Sequence, residues 1–321
     1  MKKYYTKTDI FLARMASILK KPTGVVNNMF KERAVTAIRL NPLIEEPQVI
    51  YQRLRKTRFE MVRVPWLDNT YIVTNFDKGE IGTLPEYQEG LYYIQNLSSM
   101  IPPLLLNPQS NEKVLDMCAA PGSKTTQLAS YMNNKGQIVA NDVDAWRVGK
   151  LKEVLIQFNV QNTEVRNEDA NLYGKNEQEQ YDKILLDAPC SGEGLIYLAK
   201  PMSLRFWNVK KAKGLVHIQK DLIESAFKAL KKGGIMVYST CTLEPDENEG
   251  VVTHLLKKYN KAQVIPVPLF ESKEFANYKK NVKRGILKWN TTEYAKEVHD
   301  TYRILPSSEM MGFYIAMIKK N

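Results

Sequence analysis

From residue 114 onward the chain repeats one pattern, a short apolar run followed by a stretch with helical spacing, and this leaves few folds open. The apolar runs fall at 114–118, 137–141, 183–187 and 235–239. Between them Val148, Leu151 and Leu155 recur at helical spacing, as do Ile218, Leu222 and Ala226, so each predicted helix has one face to lay on a sheet. Strands alternating with helices build a parallel sheet covered on both faces. The expected fold class is therefore α/β, a parallel sheet flanked by helices over residues 91–321.

Before residue 91 the texture changes. A basic helical opening precedes β-like runs near 37–40, 61–64 and 71–73, which reads as a separate small α+β module over residues 1–90. At the other end, 303–305 and 312–318 predict a hairpin that completes the sheet, and 273–297 reads as a charged, exposed insertion. No internal repeat or low-complexity tract interrupts the chain.

Composition narrows the partners. No apolar run approaches the roughly 18 residues that suggest a membrane span, and Asp9 and Arg14 interrupt the N-terminal apolar segment, against a secretory signal. A mitochondrial presequence is the alternative there. Cys118, Cys190 and Cys241 are far apart, odd in number and without Cys-x-x-Cys spacing, so neither a disulfide framework nor a metal site is expected. A reducing compartment, the cytoplasm, follows, with a monomer as the simplest state. The net charge of +11 is uneven, with residues 1–60 at +8, residues 257–321 at +7 and the centre at −4. Basic flanks around a mildly acidic centre suit a polyanion such as RNA, and a solvated surface without a partner is the competing reading.

Ligands of an open α/β sheet bind beyond the carboxyl ends of its strands. The first run leads into Asp116, Met117 and then Cys118, Ala119, Ala120, Pro121, Gly122, Ser123 and Lys124, a small-residue turn whose backbone N–H groups can approach a ligand closely. It is not a P-loop, because Ser123 stands where a Gly should precede Lys124. The second run ends in Asn141-Asp142, where a carboxylate would accept ribose hydroxyls, a feature common to dinucleotides and S-adenosylmethionine. Asp169 follows the next run, in place to accept from an adenine amino group. Capping of helices or turns is the other reading of both acids.

Two thiols end neighbouring strands on the same side, in Asp187-Ala188-Pro189-Cys190-Ser191-Gly192-Glu193-Gly194 and in Tyr238-Ser239-Thr240-Cys241-Thr242. A lone cysteine is most often a small buried hydrophobe. That reading suits the Cys118 side chain and not a pair placed just past two strands. Glu244, Asp246, Glu247 and Glu249 follow Cys241, and would oppose a standing thiolate if they pointed at it.

Residues 116–126 (DMCAAPGSKTT), 181–194 (YDKILLDAPCSGEG), 237–248 (VYSTCTLEPDEN), 93–99 (YIQNLSS) and 312–316 (GFYIA) together resemble the Sun/Nol/Nop family of RNA cytosine-5 methyltransferases, in its RsmF-like branch. The resemblance covers roughly residues 35–320. It implies the class I methyltransferase fold, a Rossmann-like sheet with helices on both faces, with the N-terminal module as an RNA-binding one, and S-adenosylmethionine as methyl donor. It also implies Cys241 as covalent nucleophile, Cys190 as its helper in release, and Lys124 and Asp187 beside the reacting groups. The cofactor is expected against Cys118 to Lys124, with Asp142 on the ribose, Asp169 near the adenine, and Arg147 and Asp187 as further contacts. Ribosomal RNA is the expected substrate, with transfer RNA as the alternative and a non-catalytic RNA-binding or ribosome-assembly factor as the reading from another class. A DNA cytosine methyltransferase fits less well, since its nucleophile lies in the Pro-Cys loop without a Thr-Cys partner. Two departures stand out. Tyr181 replaces the commoner Phe or Val, and the sequence stops just past GFYIA, where RsmF-like proteins continue into a further RNA-binding domain.

Overall fold

The computed structural model describes residues 5–57 and 59–321, with the side chains of Pro201 and Lys211 left aside. In chain order its helices are α1 (Lys7–Leu19), α2 (Thr23–Met29), α3 (Pro47–Lys56), α4 (Lys78–Ile81), α5 (Pro85–Gln88), α6 (Leu97–Leu106), α7 (Ser123–Met132), α8 (Ala145–Gln157), α9 (Tyr173–Asn176), α10 (Val209–Ala229) and α11 (Glu249–Lys258). Its strands are β1 (Thr36–Leu40), β2 (Met61–Arg63), β3 (Thr70–Val73), β4 (Tyr92–Ile94), β5 (Lys113–Asp116), β6 (Gln137–Asn141), β7 (Thr163–Arg166), β8 (Tyr181–Asp187), β9 (Leu230–Thr240), β10 (Ala262–Val264), β11 (Val282–Arg284), β12 (Lys288–Trp289), β13 (Thr292–Glu293), β14 (Tyr302–Ile304) and β15 (Phe313–Lys320).

The main sheet runs β11-β14-β15-β9-β8-β5-β6-β7, with β10 paired to β15. Its five central strands are parallel, and β15 enters antiparallel against β9. Successive side chains of a strand point to opposite faces, and both faces here are buried. Leu115, Val139, Ile184, Leu186, Met236 and Tyr238 meet α1, α10 and α11 on one side. Val114, Ile138, Leu185 and Val237 meet α6 and α7 on the other. This is the α/β architecture expected of the alternating pattern, and β14 with β15 forms the predicted closing hairpin.

A second sheet, β2-β3-β1-β4, carries its own small core around Ile38, Ile50, Leu54 and Tyr92. Its fourth strand lies past residue 90, hydrogen-bonded to β1 through Ile38↔Ile94 and Leu40↔Tyr92. The two opening helices do not join this sheet. The apolar stripe of α1, Phe11, Leu12, Met15 and Ile18, needs a partner, and it finds the main core: Phe11 packs edge-on against Phe30 at 4.9 Å and Trp207 at 5.1 Å.

Residues 273–297 depart from the expected exposed insertion. Phe275, Tyr278, Trp289 and Tyr294 are buried, and Trp66 lies 5.1 Å from Phe275. Four aromatic anchors outweigh the surrounding lysines and glutamates, because each removes a large apolar area from water. Ile218 also differs: it is exposed, while Leu222 and Ala226 from the same helix are buried.

Candidate active site

The turn after β5 shows why its residues are small. Gly122 has φ of 112° and opens α7, and a Cβ there would stand 3.0 Å from the side chains of Leu151 and Val154 on α8. Only glycine combines that backbone with so close a helix. At the start of the turn Asp116 is buried, accepts from Thr125 Oγ1 at 2.7 Å, and is pushed up to about 7, chiefly by loss of solvent.

Beyond the strand ends lies a cavity of about 520 Å³, within the range of a small-molecule site, lined by Cys118, Ala120, Asp142, Arg147, Asp169, Asp187, Cys190 and Cys241 among others. Ala119, Pro121, Gly122, Ser123 and Lys124 do not line it; they build the turn behind it. Asp142 accepts from Ala120 N at 3.3 Å and Asp144 N at 3.1 Å, and Arg147 pairs with it at 3.2 Å while donating to the Ala120 carbonyl. The cap of α8 is Asp144, not Asp142. Asp169 does cap, accepting from Asn171 N at 3.0 Å, and also lines the cavity. Val143 and Asn171 join the wall without having been singled out in the sequence, and Ile218 and Leu222, read there as positions facing the sheet, line it as well. Asn171 Oδ1 is buried without a hydrogen-bond partner among the described residues, an acceptor in the wall beside Asp169. Acceptors at one end, Asp142 nearby and an apolar wall suit a nucleoside, so the residues present fit S-adenosylmethionine.

At the other end the two cysteines meet, Cys190 Sγ to Cys241 Sγ at 3.1 Å. The Cys190 thiol is pushed well up, first by its bond to Cys241, then by burial. At that distance either sulfur can donate its proton to the other. Cys118 is pushed up by burial, as suits a hydrophobe. Asp187 is fixed from two sides, by Lys124 Nζ at 2.5 Å and Ser239 Oγ at 2.7 Å.

None of the four acids after Cys241 hydrogen-bonds to it among the described residues. Glu244 takes Arg14 in a two-pronged ion pair, Asp246 accepts from Tyr294 Oη at 2.8 Å, and Glu249 takes Arg303 at 2.6 and 2.7 Å. Glu247 turns to the Pro-Cys loop, accepting from Ser191 N and Gln219 Nε2. Asn248 holds the Thr-Cys loop, accepting from Thr240 Oγ1 and donating to Thr242 O. The two loops are also tied by their backbones, Gly194 N to Cys241 O at 2.9 Å and Gly312 N to Gly194 O at 3.1 Å. Sequence reasoning missed Glu193, Gln219 and Asn248 as parts of the site. For Asn248 and Glu193 the signal was their place in the two cysteine motifs; for Gln219, mid-helix, there was none.

Comparison with known proteins shows the family. The family described as 16S rRNA methyltransferase RsmB/F matches residues 103–319, and the N-terminal domain of 16S rRNA methyltransferase RsmF matches residues 8–97. A tRNA (cytosine(49)-C(5))-methyltransferase of Pyrococcus abyssi is 39% identical over 287 residues, covering 88% of each chain. Ribosomal RNA small subunit methyltransferase F of Vibrio cholerae is 40% identical over 257 residues, 78% of this chain and 54% of that one. This chain thus spans about half the length of that relative. A solved methyltransferase homologue from Pyrococcus horikoshii superimposes with a TM-score of 0.82 at 33% identity, covering 99% of this chain and 96% of the other. Since one family match alone spans well over half of the residues, the chain belongs to the RsmB/F methyltransferase family.

Proposed function

We propose that the protein methylates carbon 5 of a cytosine in RNA, taking the methyl group from S-adenosylmethionine, with Cys241 as nucleophile and Cys190 as the group that assists release. The observation that carries this reading is the pair of thiols 3.1 Å apart at one end of a nucleoside-sized cavity. When bound, the cofactor supplies an electrophilic methyl group on a sulfonium.

Carbon 5 of cytosine is a weak nucleophile until a thiolate adds at carbon 6. Cys241 makes that bond, and the ring's carbon 5 then takes the methyl group. Water entering the open cavity takes the carbon-5 proton, the C–H electron pair re-forms the carbon 5–carbon 6 double bond, and the Cys241–carbon-6 bond breaks with its pair leaving on the sulfur. A Cys190 that keeps its proton can return one to the departing Cys241 sulfur. Asp187, held by Lys124 and Ser239 with both oxygens occupied, presents a fixed acceptor edge to the base.

Ribosomal RNA is the substrate we propose first, from the family match. Transfer RNA is the second reading, favoured by the match to the Pyrococcus abyssi enzyme over nearly all of its length. Bisulfite sequencing of total RNA from cells with and without the gene separates the two. Cys241→Ala is expected to abolish methylation and leave S-adenosylhomocysteine affinity within about twofold, because the thiol acts in chemistry and not in binding. Cys190→Ala is expected to accumulate a covalent protein–RNA adduct on a denaturing gel. An adduct formed by Cys241→Ala and absent from Cys190→Ala reverses the two roles.

A further inference from the structure

The hydroxyls behind Cys190 do not have enough protons for their contacts to carboxyl oxygens unless one of the acids carries its own. Ser191 Oγ lies 2.6 Å from Glu193 Oε2 and 3.0 Å from Thr242 Oγ1, and also contacts Glu247 Oε1. Thr242 Oγ1 contacts the same Glu193 oxygen. Three of these contacts run from a hydroxyl to a carboxyl oxygen, and two hydroxyls supply only two protons. Glu193 is served at both oxygens, by the Trp207 indole at 2.6 Å on one and by Thr242 and Ser191 on the other. Glu247 Oε2 is served by Ser191 N at 3.0 Å and Gln219 Nε2 at 2.8 Å, while Glu247 Oε1, among the described residues, meets only the Ser191 oxygen. The third proton therefore belongs on Glu247 Oε1, which donates to Ser191, which donates to Glu193.

We propose that Glu247 is a neutral carboxylic acid that positions Cys190 for the release step. It grips the main chain on both sides of that cysteine: directly at Ser191 N, and through Gln219, whose amide donates at once to Glu247 and to the Pro189 carbonyl. The inference rests on the proposed role of Cys190. Among the described residues, no Lys or Arg hydrogen-bonds to the Glu247 carboxyl. The groups around it are Cys190, Ser191, Glu193 and Asp187 from the β8 side, Gln219 from α10, Thr242 after β9, and Tyr238, whose hydroxyl donates to the Glu247 carbonyl. Arg14 on α1 is spent on Glu244. Burial, with Glu193 adding, pushes Glu247 up to about 7, in agreement with the proton count. Once Glu247 ionises, Ser191 must turn its proton from Glu193 to Glu247, and a new negative charge faces Cys190. Release then slows as pH rises through about 7, while addition by Cys241 does not.

The test compares Glu247→Gln with Glu247→Ala in single-turnover assays on RNA, following adduct and methylated product from pH 6 to pH 8.5. An amide copies the protonated acid, donating N–H to Ser191 Oγ and accepting at its oxygen. Glu247→Gln is expected to release product without the alkaline decline of the wild type, and about tenfold faster than Glu247→Ala. Glu247→Ala is expected to accumulate adduct at every pH. A Gln variant no better than Ala would show that the carboxylate is needed, and overturns the proposal; so does an Ala variant that accumulates no adduct. Should Ala fail to fold, the carboxylic-acid C=O band in infrared difference spectra of wild type against Glu247→Gln decides, and its absence at pH 6 overturns the proposal. Cys241→Ala, run in parallel, separates this outcome from failure of the thiol assignment, which it alone would expose.

Discussion

Asp142 and Asp116 sit one strand apart, and their surroundings give them opposite tasks. Asp142 lines the cavity with Arg147 beside it, and is the acceptor we propose for the ribose hydroxyls. Asp142→Ala is expected to weaken S-adenosylhomocysteine binding by about 1.5–3 kcal/mol, or about one to two decades in Kd, as calorimetry will measure. Asp116 is enclosed, and burial raises it to about 7, like Glu247. A carboxyl raised in the folded state binds its proton more tightly there than in the unfolded chain. Its contribution is fully present below the ordinary carboxylate range and is lost as pH rises through about 7. Asp116→Asn should therefore flatten the fall in Tm between pH 5 and pH 8, and an equally steep fall in the variant counts against the assignment. At this scale much could be read from the sequence, because Asp142, Asp187, Cys190 and Cys241 all end strands, where chemistry collects. Asn171 and Gln219 could not, since nothing in a short polar turn or mid-helix glutamine reveals which way it faces.

The strands themselves were legible because both faces are buried and the apolar runs are uninterrupted. The predicted run at 137–141 coincides with β6, whereas β9 begins five residues before its predicted run, at Leu230, because Lys231, Lys232, Gly233 and Gly234 hide its start. Residues 273–297 misled by charge, since four buried aromatics are few among so many lysines and glutamates. The placement of α1 was not legible at all, as an amphipathic stripe says that a partner exists and not which one. Tight packing between elements gives a further prediction. Gly194 and Gly312 approach so closely that a Cβ on Gly194 would come within 2.0 Å of the Gly312 carbonyl oxygen. Gly194→Val must push the Pro-Cys loop from the start of β15, so methylation is expected to fall at least about tenfold while S-adenosylhomocysteine still binds. Retained turnover would show that this seam does not position the thiols.

For the molecule as a whole, the net charge of +11 overstates what is free to meet RNA. Arg14 and Arg303 are bound to buried glutamates, Arg53 pairs with Glu89, and Arg39 is buried against Thr126, where loss of solvent lowers it to about 10. The sequence also clusters Arg53, Arg55, Lys56 and Arg58, of which the first three lie on α3 and the last lies outside the described residues. Adjoining hollows share Arg33, two of them with Lys78 and a third with Lys200, and this groove reaches Gly194 behind Cys241. We propose it as the strand path. Replacing Arg33, Lys78 and Lys200 with Gln should reduce the slope of log affinity against log salt by about 0.7 for each single-strand phosphate that no longer meets a cation. The same change in the α3 cluster should reduce it less, and the reverse ranking moves the path to α3. The order of the main sheet bears on how the enzyme is made. A ribosome delivers β8 and β9 with both cysteine loops long before β15, which must then lie down between β9 and β14. Until residues 312–320 emerge, the Thr-Cys loop has an open flank, so a nascent or prematurely terminated chain carries both thiols but not the sheet that aligns them. Synthesis thus arms the catalyst late, and shortened chains ending before residue 312 should bind no RNA covalently.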